Sequence, residues 1–347
     1  MKKMNALGCA FVATLALGTA APALAADLGG TPKKDKLVGT AESDQILGMG
    51  GKDKLWGGDG DDRIEGGTGN DKIYGGNGDD WRLAGGDGKD KIFGEAGNDE
   101  IDGGLGNDKI NTGDGVDTAM GGEGNDKLRA GNGDPTQVNT YRGGYAGSTL
   151  AGQGGNDKLW GGFGNDYLDG GEDRDKLTGS AGNDYLWGGS GDDKLKGGVG
   201  NDNLTGDAGK DKLVGGAGDD TLVERAGEGD VIKGGAGNDK LGDAEEPGSY
   251  LTGLVKAIAG AGDDMIVIAD PVEGTVVKPG AGNDKVYVKN AYKGMKIKCG
   301  AGLDTIYFNV KVKKVKVKGC ESVVYGRDAV HWDAEGAQDV WWRKSIG

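Results

Sequence analysis

Aspartate keeps a fixed interval along this chain. It stands at Asp35, Asp44, Asp53, Asp62, Asp71 and Asp80, then at Asp90, Asp99, Asp108, Asp117 and Asp126. A second run follows at Asp157, Asp166, Asp175, Asp184, Asp193, Asp202, Asp211 and Asp220, then Asp230 and Asp239. The step is nine residues, except from Asp80 to Asp90 and from Asp220 to Asp230, where one residue is inserted. Each Asp closes a glycine-rich stretch, as in GGTGNDKIY (66–74), GGLGNDKIN (103–111) and GGVGNDNLT (197–205). Such an Asp supplies a hard carboxylate oxygen, and a bent glycine segment turns carbonyl oxygens toward the same point. Together they form a donor set for Ca²⁺.

Those carboxylates need elements that hold them in line. The repeat reads G-G-x-G-N/D-D-x-L/I-x, and a short fixed period of this kind specifies a solenoid. Glycines at the first, second and fourth places permit positive φ and close stacking of backbones. Asn or Asp at the fifth place, such as Asn70, Asp79 and Asn107, tolerates left-handed geometry. The eighth place is Leu or Ile almost throughout, including Leu55, Ile64, Ile73, Ile92, Ile101, Leu159, Leu168 and Leu186. In a three-residue strand only that middle side chain faces inward.

The seventh place shows how many repeats make a coil. Alternate repeats read Lys54, Lys72, Lys91, Lys109 and Lys127, with Arg63, Trp81, Glu100 and Thr118 between them. In the second run Lys158, Lys176, Lys194 and Lys212 alternate with Tyr167, Tyr185, Asn203 and Thr221. A period of eighteen means two nonapeptides per coil, with coils about 4.8 Å apart as parallel strands are. The predicted fold is all-β: a flattened parallel β-roll with one sheet on each side and a Gly/Asp turn along each edge.

The nonapeptides resemble the G-G-x-G-x-D-x-U-x repeats of the RTX (hemolysin-type) calcium-binding family. The resemblance covers 35–134 and 148–242, with about twenty copies. It implies a right-handed parallel solenoid with Ca²⁺ held between loops of successive coils by Asp carboxylates and backbone carbonyls. Carried onto this sequence, the ligands are Asp53 to Asp126 and Asp157 to Asp239 among the sixth-place residues above. Asp44 and Asp175 are weaker members, because GTAESD (39–44) lacks most glycines and GGEDRD (170–175) puts Asp173 and Arg174 at the fourth and fifth places. Ser148 takes the Asp place in GGYAGSTLA (143–151) and offers no carboxylate. One Gly-Asn-Asp alone is ordinary turn chemistry. In register, such turns would stack carboxylates one coil apart with nothing between, so calcium binding is expected to be coupled to folding.

Composition agrees. The chain has 76 Gly but 6 Pro among 347 residues, which excludes a collagen-type repeat. Net charge is −15 and pI about 4.6, which argues against nucleic acid or an anionic membrane as partner. Met1–Ala25 reads as a secretory signal peptide: Lys2 and Lys3, an apolar Ala6–Ala20, and an Ala23-Leu24-Ala25 cleavage signal. Its removal takes two positive charges and leaves −17. The mature chain is expected to be exported and to have no transmembrane segment. Type I secretion with a C-terminal signal, which the resemblance implies, is not what such a leader favours.

Other segments depart from the nine-residue step. Residues 26–34 read as a linker and 135–147 as an inserted loop, including Pro135–Arg142. In 243–326 GAGDD, GAGND and GAGLD recur, with Asp264, Asp284 and Asp304 spaced by twenty. Strand-like runs Val255–Ile258, Thr275–Lys278, Met295–Lys298 and Val315–Lys318 lie behind them, which predicts wider coils with longer strands and weaker calcium sites at these three Asp residues. Cys299 and Cys320 sit one such coil apart, and a disulfide between them is expected in an exported chain, against two buried thiols. Residues 327–347, with His331, Trp332, Trp341 and Trp342, read as a cap over the open end or a partner-binding tail.

Trp56, Tyr74 and Phe93 share the lysine-bearing face, and Lys311, Lys313, Lys316 and Lys318 alternate with valines. Such a face would bind acidic polysaccharide or a cell surface, or serve only to deter sheet association. No H-E-x-x-H or G-x-S-x-G is present, and His331 is the sole histidine. A lyase- or epimerase-like site would have to lie in 243–326, using a group such as Lys293 or Tyr287. The reading is a secreted calcium-binding repeat protein that is not an enzyme, with a polysaccharide-binding or -modifying protein as the alternative.

Overall fold

The computed structural model describes residues 24–131, 147–242, 251, 253, 256–309 and 315–326. Most of the predicted signal peptide, the segment Pro135–Arg142, Lys311, Lys313 and the tail with His331 lie outside them. All regular structure in the described residues is β-strand. No helix there is long and apolar enough to cross a membrane.

Among the described residues the strands divide between two parallel sheets, of fifteen and eighteen strands, and through most of the nonapeptide coils each pairs with the strand two elements away. In one sheet Lys54–Asp59 pairs with Lys72–Asn77, placing Lys54 beside Lys72, Leu55 beside Ile73 and Trp56 beside Tyr74. In the other, Glu100–Leu105 pairs with Thr118–Glu123 in the same manner. The chain is a parallel β-solenoid with two nonapeptides to a coil.

In the nonapeptide coils the core is one residue thick on each side, and in the wider coils strands bring in a second residue, as Ile266 with Ile268 and Ile306 with Phe308. Leu55, Ile64, Ile73, Leu83, Ile92, Ile101, Leu159 and Leu168 are fully buried. Each contributes about 1.5–3 kcal/mol of apolar burial. Most strands of the nonapeptide coils are six residues long rather than three, because pairing continues through the glycines. In Lys54–Asp59 burial alternates with Leu55 and Gly57 inward. The first glycine of each repeat is therefore a core position, facing inward like the Leu before it.

Several local expectations are corrected. Residues 26–34 are not a linker throughout: Asp27–Gly29 is a strand paired with Gln45–Leu47, so the solenoid begins before Asp35. Arg82, not Trp81, takes the seventh place, since it aligns with Arg63 while Trp81 is the inserted residue and points outward. The fifth-place Asn70, Asp79 and Asn107 take no positive φ; the left-handed residues are the second and fourth glycines, such as Gly58 and Gly60. Their side chains instead accept the N–H of the fifth-place residue one coil on, as from Lys89 to Asn70 at 2.9 Å and from Asn125 to Asn107 at 2.8 Å.

Across the inserted segment the register steps by 31 residues, and beyond Asp239 the coils lengthen. The wider coils keep short strands, Met265–Ala269 and Lys285–Lys289, five residues each. Their extra length lies in turns at 270–275 and 290–295, entered through left-handed Asp270 and Asn290. There an amide ladder holds the edge: Asn290 Nδ2 donates to Asp270 Oδ1 and Asn309 Nδ2 to Asn290 Oδ1. Cys299 and Cys320 form a disulfide with Cα atoms 5.2 Å apart.

Candidate metal centre

The Asp residues form two columns, one along each edge. Each backbone N–H donates to Oδ1 of the Asp one coil further on, at 2.6–3.2 Å. The first column runs from Asp35 through Asp53, Asp71, Asp90, Asp108, Asp126, Asp157, Asp175, Asp193 and Asp211 to Asp230. The second runs through Asp44, Asp62, Asp80, Asp99, Asp117, Ser148, Asp166, Asp184, Asp202, Asp220 and Asp239. It continues into the wider coils at Asp264, Asp284 and Asp304 and ends on Glu321, whose Oε2 accepts the Asp304 N–H at 2.7 Å.

That bond uses one oxygen. The other, Oδ2, is buried without a hydrogen-bond partner in every column Asp from Asp53 to Asp304. A buried, unpaired carboxylate oxygen carries a large desolvation penalty. Burial raises Asp157 and Asp99 to about 8, and Asp80, Asp166 and Asp184 to about 7. Neighbouring carboxylates push the same way, while the backbone hydrogen bonds oppose them.

The oxygens have neighbours of the right kind. The point a Cβ would occupy on Gly152 lies 2.3 Å from Asp157 Oδ2 and 2.5 Å from the Gly170 carbonyl oxygen. Carboxylate and carbonyl oxygens converge in the same way at Gly57, Gly66 and Gly161, a donor set suited to a hard cation of calcium's size. The residues fit Ca²⁺, which when bound supplies the positive charge these columns lack.

The members read as weaker in the sequence fall into two kinds. Asp175 has the same unpartnered Oδ2 as its neighbours despite Asp173 and Arg174, and so do Asp264, Asp284 and Asp304. Asp44 stands apart: its carboxylate accepts from the Thr40 N–H, the Thr40 hydroxyl and the Ala26 N–H, so both oxygens are satisfied. Ser148 continues the column through its hydroxyl, which accepts the Asp117 N–H at 3.2 Å. Tyr287, considered as a base, is stacked on Tyr307 at 4.7 Å, and burial pushes its phenol up to about 12, which keeps it neutral.

One acid was not singled out in the sequence. Glu224 occupies a first-glycine place, opposite Gly206, as the Thr205–Val223 register shows. It is fully buried, neither oxygen has a partner, and burial beside Asp211 and Asp230 pushes it up to about 10. The signal was available: ERAGEGD (224–230) is the copy that replaces the leading glycine by an acid.

The RTX calcium-binding nonapeptide repeat matches this chain in overlapping segments across 29–134, 142–222 and 227–241. No curated protein matches it. With the repeat covering more than half of the sequence, and with its Asp columns built into a parallel solenoid, the chain belongs to the RTX calcium-binding repeat family.

Proposed function

We propose that this is an exported solenoid whose two Asp columns take up multiple calcium ions and fold the roll as they do so, in a structural or surface-interaction role without catalysis. The observation that supports it is the series of buried, unpartnered Oδ2 atoms, interrupted in the second column by Ser148, many of them beside a backbone carbonyl of the next coil. A core one residue thick cannot offset so many desolvated carboxylates, so charge neutralisation has to come with folding. Affinities fall in the weak extracellular range, about 10⁻⁴–10⁻³ M. The leader-like Met1–Ala25 and the Cys299–Cys320 disulfide support export to an oxidising compartment.

Calcium counted on dialysed, exported protein tests binding, and N-terminal sequencing tests processing. Multiple ions per chain and a first residue of Ala26 are expected. Metal-free protein with native secondary structure at pH 7.5 would overturn the reading.

A second reading is an acidic-polysaccharide platform. Lys36, Lys54, Lys72, Lys91, Lys109, Lys127, Lys158, Lys176, Lys194 and Lys212 align in one sheet. Trp56, Tyr74 and Phe93 stack beside them at 5.3 and 4.9 Å. A groove of about 650 Å³ lined by Phe93, Trp160, Phe163, Lys91 and Lys127 lies on this face. Sugar rings stack on aromatic faces, and a polyuronate would match the lysine spacing in charge. Retention on an alginate or pectate gel in calcium, lost on replacing Lys91 and Lys127 by Glu, is its test.

A further inference from the structure

The first Asp column ends at Asp230, and its last rung is unlike the others. At Gly57, Gly66 and Gly152 the next coil brings a backbone carbonyl oxygen to this place, and at Thr112 a buried hydroxyl besides. In this rung Glu224 brings a carboxylate: the Cβ point on Gly206 is 2.1 Å from Glu224 Oε2 and 2.7 Å from Asp211 Oδ2. Oxygens of Asp211, Glu224 and Asp230 lie within 4.8 Å of one another. All three residues are buried, and four of their oxygens (Asp211 Oδ2, Asp230 Oδ2 and both of Glu224) have no hydrogen-bond partner. Among the described residues the ion pairs are Arg63–Glu65, Arg82–Glu65 and Arg174–Asp192, so no cationic side chain pairs with these three acids.

We propose that Glu224, Asp211 and Asp230 form a three-carboxylate calcium site that fills before the rest of the array and closes the first column where the nonapeptide coils give way to the wider ones. The inference rests on the calcium reading of the columns and adds a graded affinity to it. Affinity of an oxygen-donor site rises with the number of charged ligands and with rigidity. This rung has one charged ligand more than its neighbours, held on backbone whose register is fixed on both sides. Filling it orders the coil that carries Val231–Ala236, against which Lys256–Ala261 pairs.

The test is a calcium titration of the EDTA-stripped full chain against a chromophoric chelator, with Glu224→Gln and Glu224→Gly. Wild type is expected to bind one ion per chain about tenfold more tightly than the remainder. Glu224→Gln loses that ion and keeps the weaker uptake. Glu224→Gly, which restores the repeat glycine, turns the rung into an ordinary one and remains readable should the Gln variant fail to fold. Weak uptake without a tight ion in wild type, or a tight ion retained in both variants, overturns the inference and leaves the calcium reading standing. A Glu224 that merely shares a proton with Asp211 would give that second result. No uptake at all would instead overturn the calcium reading itself.

Discussion

The backbone N–H of Asp71 donates to Asp90 Oδ1 at 2.7 Å, while Asp90 Oδ2, buried beside it, has no hydrogen-bond partner. One oxygen of each rung thus belongs to the fold and the other remains free for a ligand.

The first prediction concerns pH. Asp99 and Asp157 are raised to about 8 and Asp62 and Asp108 to about 6 in the folded chain, against about 3.9 unfolded. The metal-free fold therefore holds more protons than the unfolded chain. Its contribution from these groups is fully present below about pH 4 and is lost as pH rises through 6 to 8. Circular dichroism in EDTA should show most β-structure near pH 4 and least near pH 8, with calcium restoring it at the alkaline end. β-structure that increases with pH in EDTA would contradict this.

The second separates Asp44 from the interior rungs. Asp44 accepts from Ala26 N, which becomes a charged α-amino group if processing ends at Ala25. Asp44→Asn should lower the stability of processed protein by about 1–3 kcal/mol without changing the calcium count. Asp184→Asn, at an unpartnered rung, should lower the count and strengthen the metal-free fold. Paired ion counting and thermal melts in EDTA distinguish the two.

A third uses the glycines. A Cβ on Gly57 would stand 1.9 Å from Asp62 Oδ2 and 2.4 Å from the Gly75 carbonyl oxygen. Gly57→Ala should therefore cost about 1–3 kcal/mol and weaken calcium uptake at its rung. At Gly274, φ is +87° and nothing lies within 4 Å of the added Cβ. Gly274→Ala should cost only the left-handed backbone term, about 1 kcal/mol, with calcium uptake unchanged.

Much of this was legible in advance because the nine-residue period acts through backbone stacking. Leu55 must lie beside Ile73 once Asp53 lies beside Asp71, and the alternation of Lys54 with Arg63 sets two repeats to the coil. What escaped reading were roles set by contacts between coils rather than by the repeat. Asn70 serves as an acceptor for the next coil, Thr40 satisfies Asp44, and the wider coils spend their extra residues on turns at Asp270 and Asn290. Glu224 escaped because the period directs attention to the sixth place, whereas its carboxylate enters from the first.

The fourth prediction is local. The Cys299–Cys320 bridge spans 21 residues of sequence, so its reduction should cost about 3 kcal/mol. In a solenoid, stability is nearly a sum over neighbouring coils. The loss should therefore appear as earlier fraying of the wider coils in hydrogen exchange, with the Asp53–Asp230 column and its calcium uptake unaffected.

The central claim is that calcium and fold are one equilibrium. Radius of gyration by small-angle scattering, with far-UV circular dichroism on the same samples at pH 7.5, tests it in EDTA and in millimolar Ca²⁺. An expanded chain with little β-signal is expected in EDTA and a compact, β-rich solenoid in calcium, at the same protein concentration. Identical dimensions and spectra in the two conditions would contradict it.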